Sequence, residues 1–173
     1  MCNTELTYTQ AKQHGGATGP RRKGRTMKNS FAAEYAMEFA IRDAYEMCKQ
    51  RGDETGMEEA RALMRKHLDE IAEKGDAYAF VYRLYREMKE CGNEHIDLHD
   101  AIHDELKVLG MLKECGIKSF TFSSGWSSAV ESAWIFQQNG CKLEGLIELN
   151  CLNKDWFGTG EREKVHGYLF SIQ

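Results

Sequence analysis

At Gly116 the periodicity of the chain changes, and that change sets the fold class. Before it, apolar residues recur every three or four positions, as on a helix packed along one stripe; after it they alternate, as on a strand with one buried face. The only proline, Pro20, lies upstream of both regimes, so the helices end at glycines. Phe31 to Arg51 carries Tyr35, Phe39, Tyr45 and Cys48, takes Asn29 or Ser30 as its cap and stops at Gly52. A second helix starts after Asp53 or Thr55, sets Met57, Ala60, Met64, His67, Leu68 and Ile71 on one stripe, and stops at Gly75. A third, capped by Asp76, turns Tyr78, Val81, Tyr82, Tyr85 and Met88 inward and ends in Lys89-Glu-Cys-Gly92. The fourth, from about Asn93 to Glu114, ends in the same four letters, Lys113-Glu-Cys-Gly116. The preceding residues do not match, so the echo marks matching helix ends and not a repeat.

Past Gly116, Ile117 to Phe122 reads as a strand with Phe120 and Phe122 on one side. Ala129 to Asn139 reads as a helix, with Ser128 and Glu131 at capping-box spacing. Lys142 to Asn150 is a second strand with Leu143, Ile147 and Leu149 on one face. Lys164 to Ile172 is a third, with Val165 and Leu169 on one face and Tyr168, Phe170 and Ile172 on the other. Trp126 and Trp134 read as core residues, and Trp156-Phe157 as either a plug over the sheet edge or an exposed anchor for a partner. The expected architecture is α+β: a basic arm over 1–27, then one domain over 28–173. In that domain a four-helix body (28–116) precedes a small β-α-β-β sheet unit (117–173) whose sheet needs the helices to cover one face.

Apolar residues at 42% and charged residues at 29% fit a folded globular chain and exclude a disordered one. No apolar run approaches the roughly 20 residues of a membrane span, and the first thirty residues are polar and basic, unlike a secretory signal. The expected location is the cytoplasm. There, six cysteines without a Cys-x-x-Cys pair are thiols, explained by burial or by metal. Six basic residues against Glu5 alone give residues 1–30 a charge of +5, so the net −4 leaves −9 on residues 31–173. Such an acidic body disfavours phosphate backbones, and only Pro20 to Arg25 in the arm suits nucleic acid or an acidic protein.

The stretch Cys91 to His103 spaces a cysteine and three histidines at strict four-residue intervals. On a helix, side chains four apart lie over one another, so His95 and His99 are placed to share an ion. His103 continues the row but stands roughly 12 Å from His95, too far for both to reach one ion through bonds of about 2.1 Å. Cys91, His95 and His99 make three ligands, with His67 or His103 as the fourth, and Asp97, Asp100 and Asp104 as partners for the outer ring nitrogens. Mixed nitrogen and sulfur donors select zinc, in a structural role. The plainer alternative is a hydrated helix face with Ile96, Ile102, Leu106 and Leu109 packing beneath it.

A complete catalytic set is missing. A zinc protease needs glutamate directly after the first histidine, and that position holds Ile96. His99-Asp100 resembles the pair of HD-type metal phosphohydrolases, with His67 as a candidate for the earlier histidine, and this is the enzymatic alternative. In the turn Ser123 to Ser128, capping accounts for the serines; neither a Walker pattern nor a base for Ser124 is present.

The stretch from Phe120 through Gly140, continued by Leu143 to Asn150, resembles a module in small proteins of bacterial phages and mobile elements. The whole, a short acidic chain with a basic arm, is similar in kind to the anti-CRISPR inhibitors of type II systems, some of which hold a structural metal. That resemblance implies a non-enzymatic inhibitor in the bacterial host cytoplasm that occupies a type II RNA-guided effector nuclease and blocks target-DNA loading or cleavage. The positively charged channel of such a nuclease suits an acidic body.

Overall fold

The computed structural model describes residues 30–99, 104–152 and 162–173. Contacts divide the chain into two units, Met1–Asp76 and Ala77–Gln173. The break falls inside the stretch that the sequence joins into one domain. Among the described residues the fold is α+β, five helices and a four-stranded sheet, with helices predominant early and the sheet late. No described helix is long and apolar enough to cross a membrane. The arm over 1–27, the Asn29 cap and Trp156 to Gly160 lie outside the described residues.

In the first unit, α1 (Ser30–Arg51) and α2 (Glu54–Ala72) are joined by a turn two residues long. Gly52 takes φ 69°, and the N–H groups of Gly52 and Asp53 donate back to Lys49 and Cys48, closing the end of α1. Asp53 then caps α2 by accepting from the Gly56 N–H at 2.9 Å. Gly56 lies close against α1: a Cβ there would lie 2.6 Å from the Cys48 sulfur. Phe31, Ile41, Ala44 and Cys48 of α1 and Ala60 and Ile71 of α2 are buried. Of the face expected on α1 only Cys48 is among them, Tyr35 and Tyr45 being half-buried and Phe39 exposed, and on the α2 stripe Leu68 is exposed.

The second unit opens with α3 (Asp76–Cys91), which buries Tyr78, Val81, Tyr82 and Met88. Beyond α3 the structure corrects the expected fourth helix. Residues 93–95 leave helical geometry, Ile96–Asp97 form the short strand β1, and the next helix among the described residues is α4 (Glu105–Glu114). Then come β2 (Ser119–Phe122), α5 (Ala129–Gln138), β3 (Cys141–Leu152) and β4 (Arg162–Ile172), with sheet order β1-β2-β4-β3. β1 runs parallel to β2, while β4 is antiparallel to both β2 and β3. Burial decides against helix at β1: Ile96 and Leu98 are buried with the half-buried Asp97 between them, the alternation of a strand.

One face of the sheet carries a phenylalanine cluster. Phe120 stacks on Phe170 with ring centres 5.3 Å apart, and Phe136 of α5 meets Phe120 and Phe122 edge-on at 5.0 and 5.5 Å. Ser132 and Phe136 are the buried side of α5. Trp134 is two residues past Ser132, about 200° round the helix, and so faces outward. The tryptophans read as core are accordingly at the surface, Trp126 71% and Trp134 58% exposed. The Ser128 capping box does not form either. The chain is already turning one step earlier, where Ala129 N–H donates to Trp126 O, and the Ser128 side chain makes no cap.

A bulge between Leu143 and Gly145 corrects the facing of β3. Leu143 pairs with Phe170, but Ile147 and Leu149 pair with Gly167 and Val165, on the other face. One extra residue, Glu144, reverses the alternation that would have kept all three together.

Candidate functional site

The sheet face opposite the phenylalanine cluster carries a polar row. β1 and β2 pair Ile96 with Phe120 and Asp97 with Thr121, so titratable residues of one strand meet hydroxyls of the other. His95 Nδ1 and Ser119 Oγ are hydrogen-bonded at 3.0 Å. Asp97 accepts from Thr121 Oγ1 at 3.0 Å and from Ser123 Oγ at 2.5 Å. Burial pushes the Asp97 carboxyl above the ordinary aspartate range, against the opposing pull of Ser123, the nearby His99 and Thr121. His99 turns instead to α3, where its Nε2 lies 3.1 Å from Glu87 Oε2.

The row borders a cleft of about 490 Å³. Ile147, Leu149 and Leu169 give it an apolar lining, and the segment Gly92 to His95 forms one wall. That wall is fixed by a reciprocal amide pair. Asn93 Nδ2 donates to Asn150 O at 2.8 Å, Asn150 N–H donates to Asn93 Oδ1 at 3.0 Å, and Asn150 Nδ2 reaches the Cys91 carbonyl at 3.1 Å. Asn93 thereby serves as a backbone mimic for β3, an edge strand whose outward N–H would otherwise want a partner. Asn150 in turn takes up a carbonyl from the last turn of α3.

The residues expected to bind zinc have the following surroundings. Cys91 is buried at the end of α3; His95 is tied to Ser119 and His99 to Glu87. The helical overlay of His95 on His99 is absent, because the stretch between them is not helical and forms β1 at Ile96–Asp97, where each residue advances about 3.3 Å against about 1.5 Å in a helix. His67 belongs to the first unit, where its Nδ1 lies 3.7 Å from Glu34 Oε2, and Glu34 also binds Lys74. His103 and Asp100 lie outside the described residues, and with Asp100 goes half of the HD-type pair. Among the described residues no group of three or more His, Cys, Asp or Glu is arranged to hold a metal ion.

Nor does the row form a hydrolytic triad among the described residues. Ser119 and His95 have the nucleophile-and-base pairing, but such a base needs an acid on its other ring nitrogen, and Asp97 is engaged by Thr121 and Ser123. The serines read as caps have other duties: Ser123 holds Asp97, and Ser124 Oγ accepts from the Trp126 N–H at 3.3 Å. Asn93, Ser119, Thr121 and Asn150 are site residues that the helical reading passes over. For Ser119 and Thr121 the signal is a shared period of two, His95-x-Asp97-x-His99 against Ser119-x-Thr121-x-Ser123, whereas the Asn93–Asn150 pair spans 57 positions and has no local signal.

A second candidate surface lies on α5. Val130 and Trp134 are one turn apart and 75% and 58% exposed, and Trp126, 71% exposed, stands in the turn that enters the helix. Large apolar side chains grouped at a surface mark contact sites more often than isolated ones do.

Residues 80–172 match a family described as a domain of unknown function, DUF7698. The match falls within the second unit and takes in both the cleft and the α5 surface. No curated protein and no solved structure matches the chain.

Proposed function

Since the chain belongs to the DUF7698 family, we propose that its matched domain is a non-enzymatic binding module that docks a protein partner through the outer side of α5. The observation that carries this reading is the ridge of Trp126, Val130 and Trp134, which are among the most exposed large apolar residues described. Tryptophan is the residue type most enriched at the energetic centres of protein interfaces, and burial of a Trp contributes far more than that of a polar side chain. The partner class proposed is a type II RNA-guided effector nuclease. Supporting it are the charge of −9 on residues 31–173, of which −4 falls in the matched residues 80–172, suited to a basic nucleic-acid channel, and the similarity in kind to inhibitors of such nucleases.

A target-cleavage assay with increasing protein tests this. Cleavage falls with the wild type and is restored with the Trp126→Ala/Trp134→Ala protein; unchanged cleavage at saturating wild type removes the nuclease as partner. A structural zinc on Cys91, His95 and His99 is a separate proposal, tested by elemental analysis. One ion per chain that is lost in His99→Ala supports it, and an ion-free protein ends it.

A further inference from the structure

The cleft between Gly92–His95 and the β3–β4 ribbon has the size of a small-molecule site, and its lining restricts what such a molecule could be. Its volume of about 490 Å³ falls in the range of roughly 300–1,000 Å³ typical of ligand pockets. Ile147, Leu149 and Leu169 offer only aliphatic surface, suited to a flat apolar body. The polar groups around them are unevenly used. His95 is held through Nδ1 by Ser119, and its Nε2 has no partner among the described residues. Lys164, the only cation of the lining among the described residues, is bound by Glu148 at 2.5 Å. Glu94, also in the lining, has no cation partner among the described residues.

A site whose described lining holds no arginine, a neutralised lysine and an uncompensated carboxylate repels anions and attracts hydrogen-bond donors. An imidazole fixed by one nitrogen presents the other as a single oriented donor or acceptor. We infer that this cleft binds an amino-substituted aromatic heterocycle without an acidic group, the chemistry of a free nucleobase or nucleoside and not of a nucleotide. The ring lies on the aliphatic side chains, an edge nitrogen meets His95 Nε2, and the amino group faces Glu94. The inference rests on the cleft alone and stands apart from the protein-docking role of α5.

Titration of the full chain with adenosine and with cytidine, followed by amide and imidazole NMR shifts, tests it, with AMP as the anionic control. The expected result is saturable binding of at least one nucleoside at millimolar concentration. Shifts concentrate at Asn93 to His95 and Ile147 to Asn150, and AMP binds about tenfold more weakly, about 1.4 kcal/mol. His95→Ala weakens the nucleoside by a similar factor. Glu94→Lys, an exposed change that leaves the packing intact, removes the bias against AMP even if the histidine variant does not fold. The absence of saturable binding by both nucleosides overturns the inference, as does AMP binding the wild type as tightly as adenosine.

Discussion

The passage from α3 into β1 and the passage from α4 into β2 begin alike and then diverge. Each helix ends in Lys-Glu-Cys-Gly with the glycine at positive φ, 71° at Gly92 and 73° at Gly116. In each, the glycine N–H donates to the lysine carbonyl three residues back, and the next N–H reaches the carbonyl before that lysine, Met88 in one and Leu112 in the other. Both cysteines are buried. The two strands lie parallel with Ile96 opposite Phe120, an offset of 24 (120 − 96) that also separates Gly92 from Gly116. The echo of four letters is therefore more than two similar helix ends: it continues in register into a strand pair.

The difference lies in what each strand carries on its polar face. The first presents His95 and Asp97, the second Ser119 and Thr121, and each titratable group finds a hydroxyl at hydrogen-bond distance. Equal backbone geometry with unequal side chains converts two similar passages into a complementary pair. Only the first passage also carries an asparagine after its glycine, and that residue ties it to β3 and shapes the cleft. Ile117 stands in the corresponding place of the second.

The largest test of that contrast is Asn93→Ala. It leaves the Asn150 N–H unsatisfied and removes the bond to Asn150 O, so it costs about 1–3 kcal/mol in urea unfolding. Ile117→Ala, lacking any such polar role, gives no comparable loss of amide protection at Asn150, which hydrogen exchange reads directly. Gly92→Ala and Gly116→Ala come next. Each forces a side chain into left-handed backbone, costs about 1–2 kcal/mol, and does so nearly equally if the two ends are equivalent. Unequal costs break the equivalence.

Asp97→Asn probes the polar row through pH. The folded carboxyl is raised above its unfolded value of about 3.9, so its contribution is fully present below that value. It is lost as pH rises through the folded pKa, because the folded state there holds the proton more tightly. Stability measured from about pH 4 upward therefore shows a declining component in the wild type that is missing in Asp97→Asn. A wild-type profile with the same slope as the variant would contradict the burial argument. Smallest is Ser119→Ala, which removes one half-buried hydrogen bond to His95 and lowers stability by about 0.5–1.5 kcal/mol with no change at the Gly116 cap.

Much of the fold was legible because its signals are local. The glycine ends of α1, α3 and α4, the Asp53 cap, the stripe of Tyr78, Val81, Tyr82 and Met88, and the alternation around Phe120 and Phe170 each depend on a few neighbouring residues. The stretch after Gly92 departs from the expected helix because one spacing fits two structures. Residues four apart share a face on a helix, after one turn, and also on a strand, after two pleats. His95 and His99 fit both readings, and the nearby helix-like run to Glu114 favoured the first. Only pairing of Ile96 with Phe120 selected the second, a contact that spans a whole intervening helix. Trp126 and Trp134 went astray for a related reason: hydrophobicity says which residues gain by burial, but Phe136 had already claimed the inward side of α5.

What the amino-acid order determined on its own is where each helix stops and which stretches alternate, since caps and periodicity act within a turn or two of the backbone. Tertiary structure decided the sheet register, the reversal of facing at the β3 bulge, and the assembly of Asn93, His95, Thr121 and Asn150 around one cleft. Those outcomes depend on hydrogen bonds between residues tens of positions apart, and no local pattern encodes which distant partner a strand edge will take.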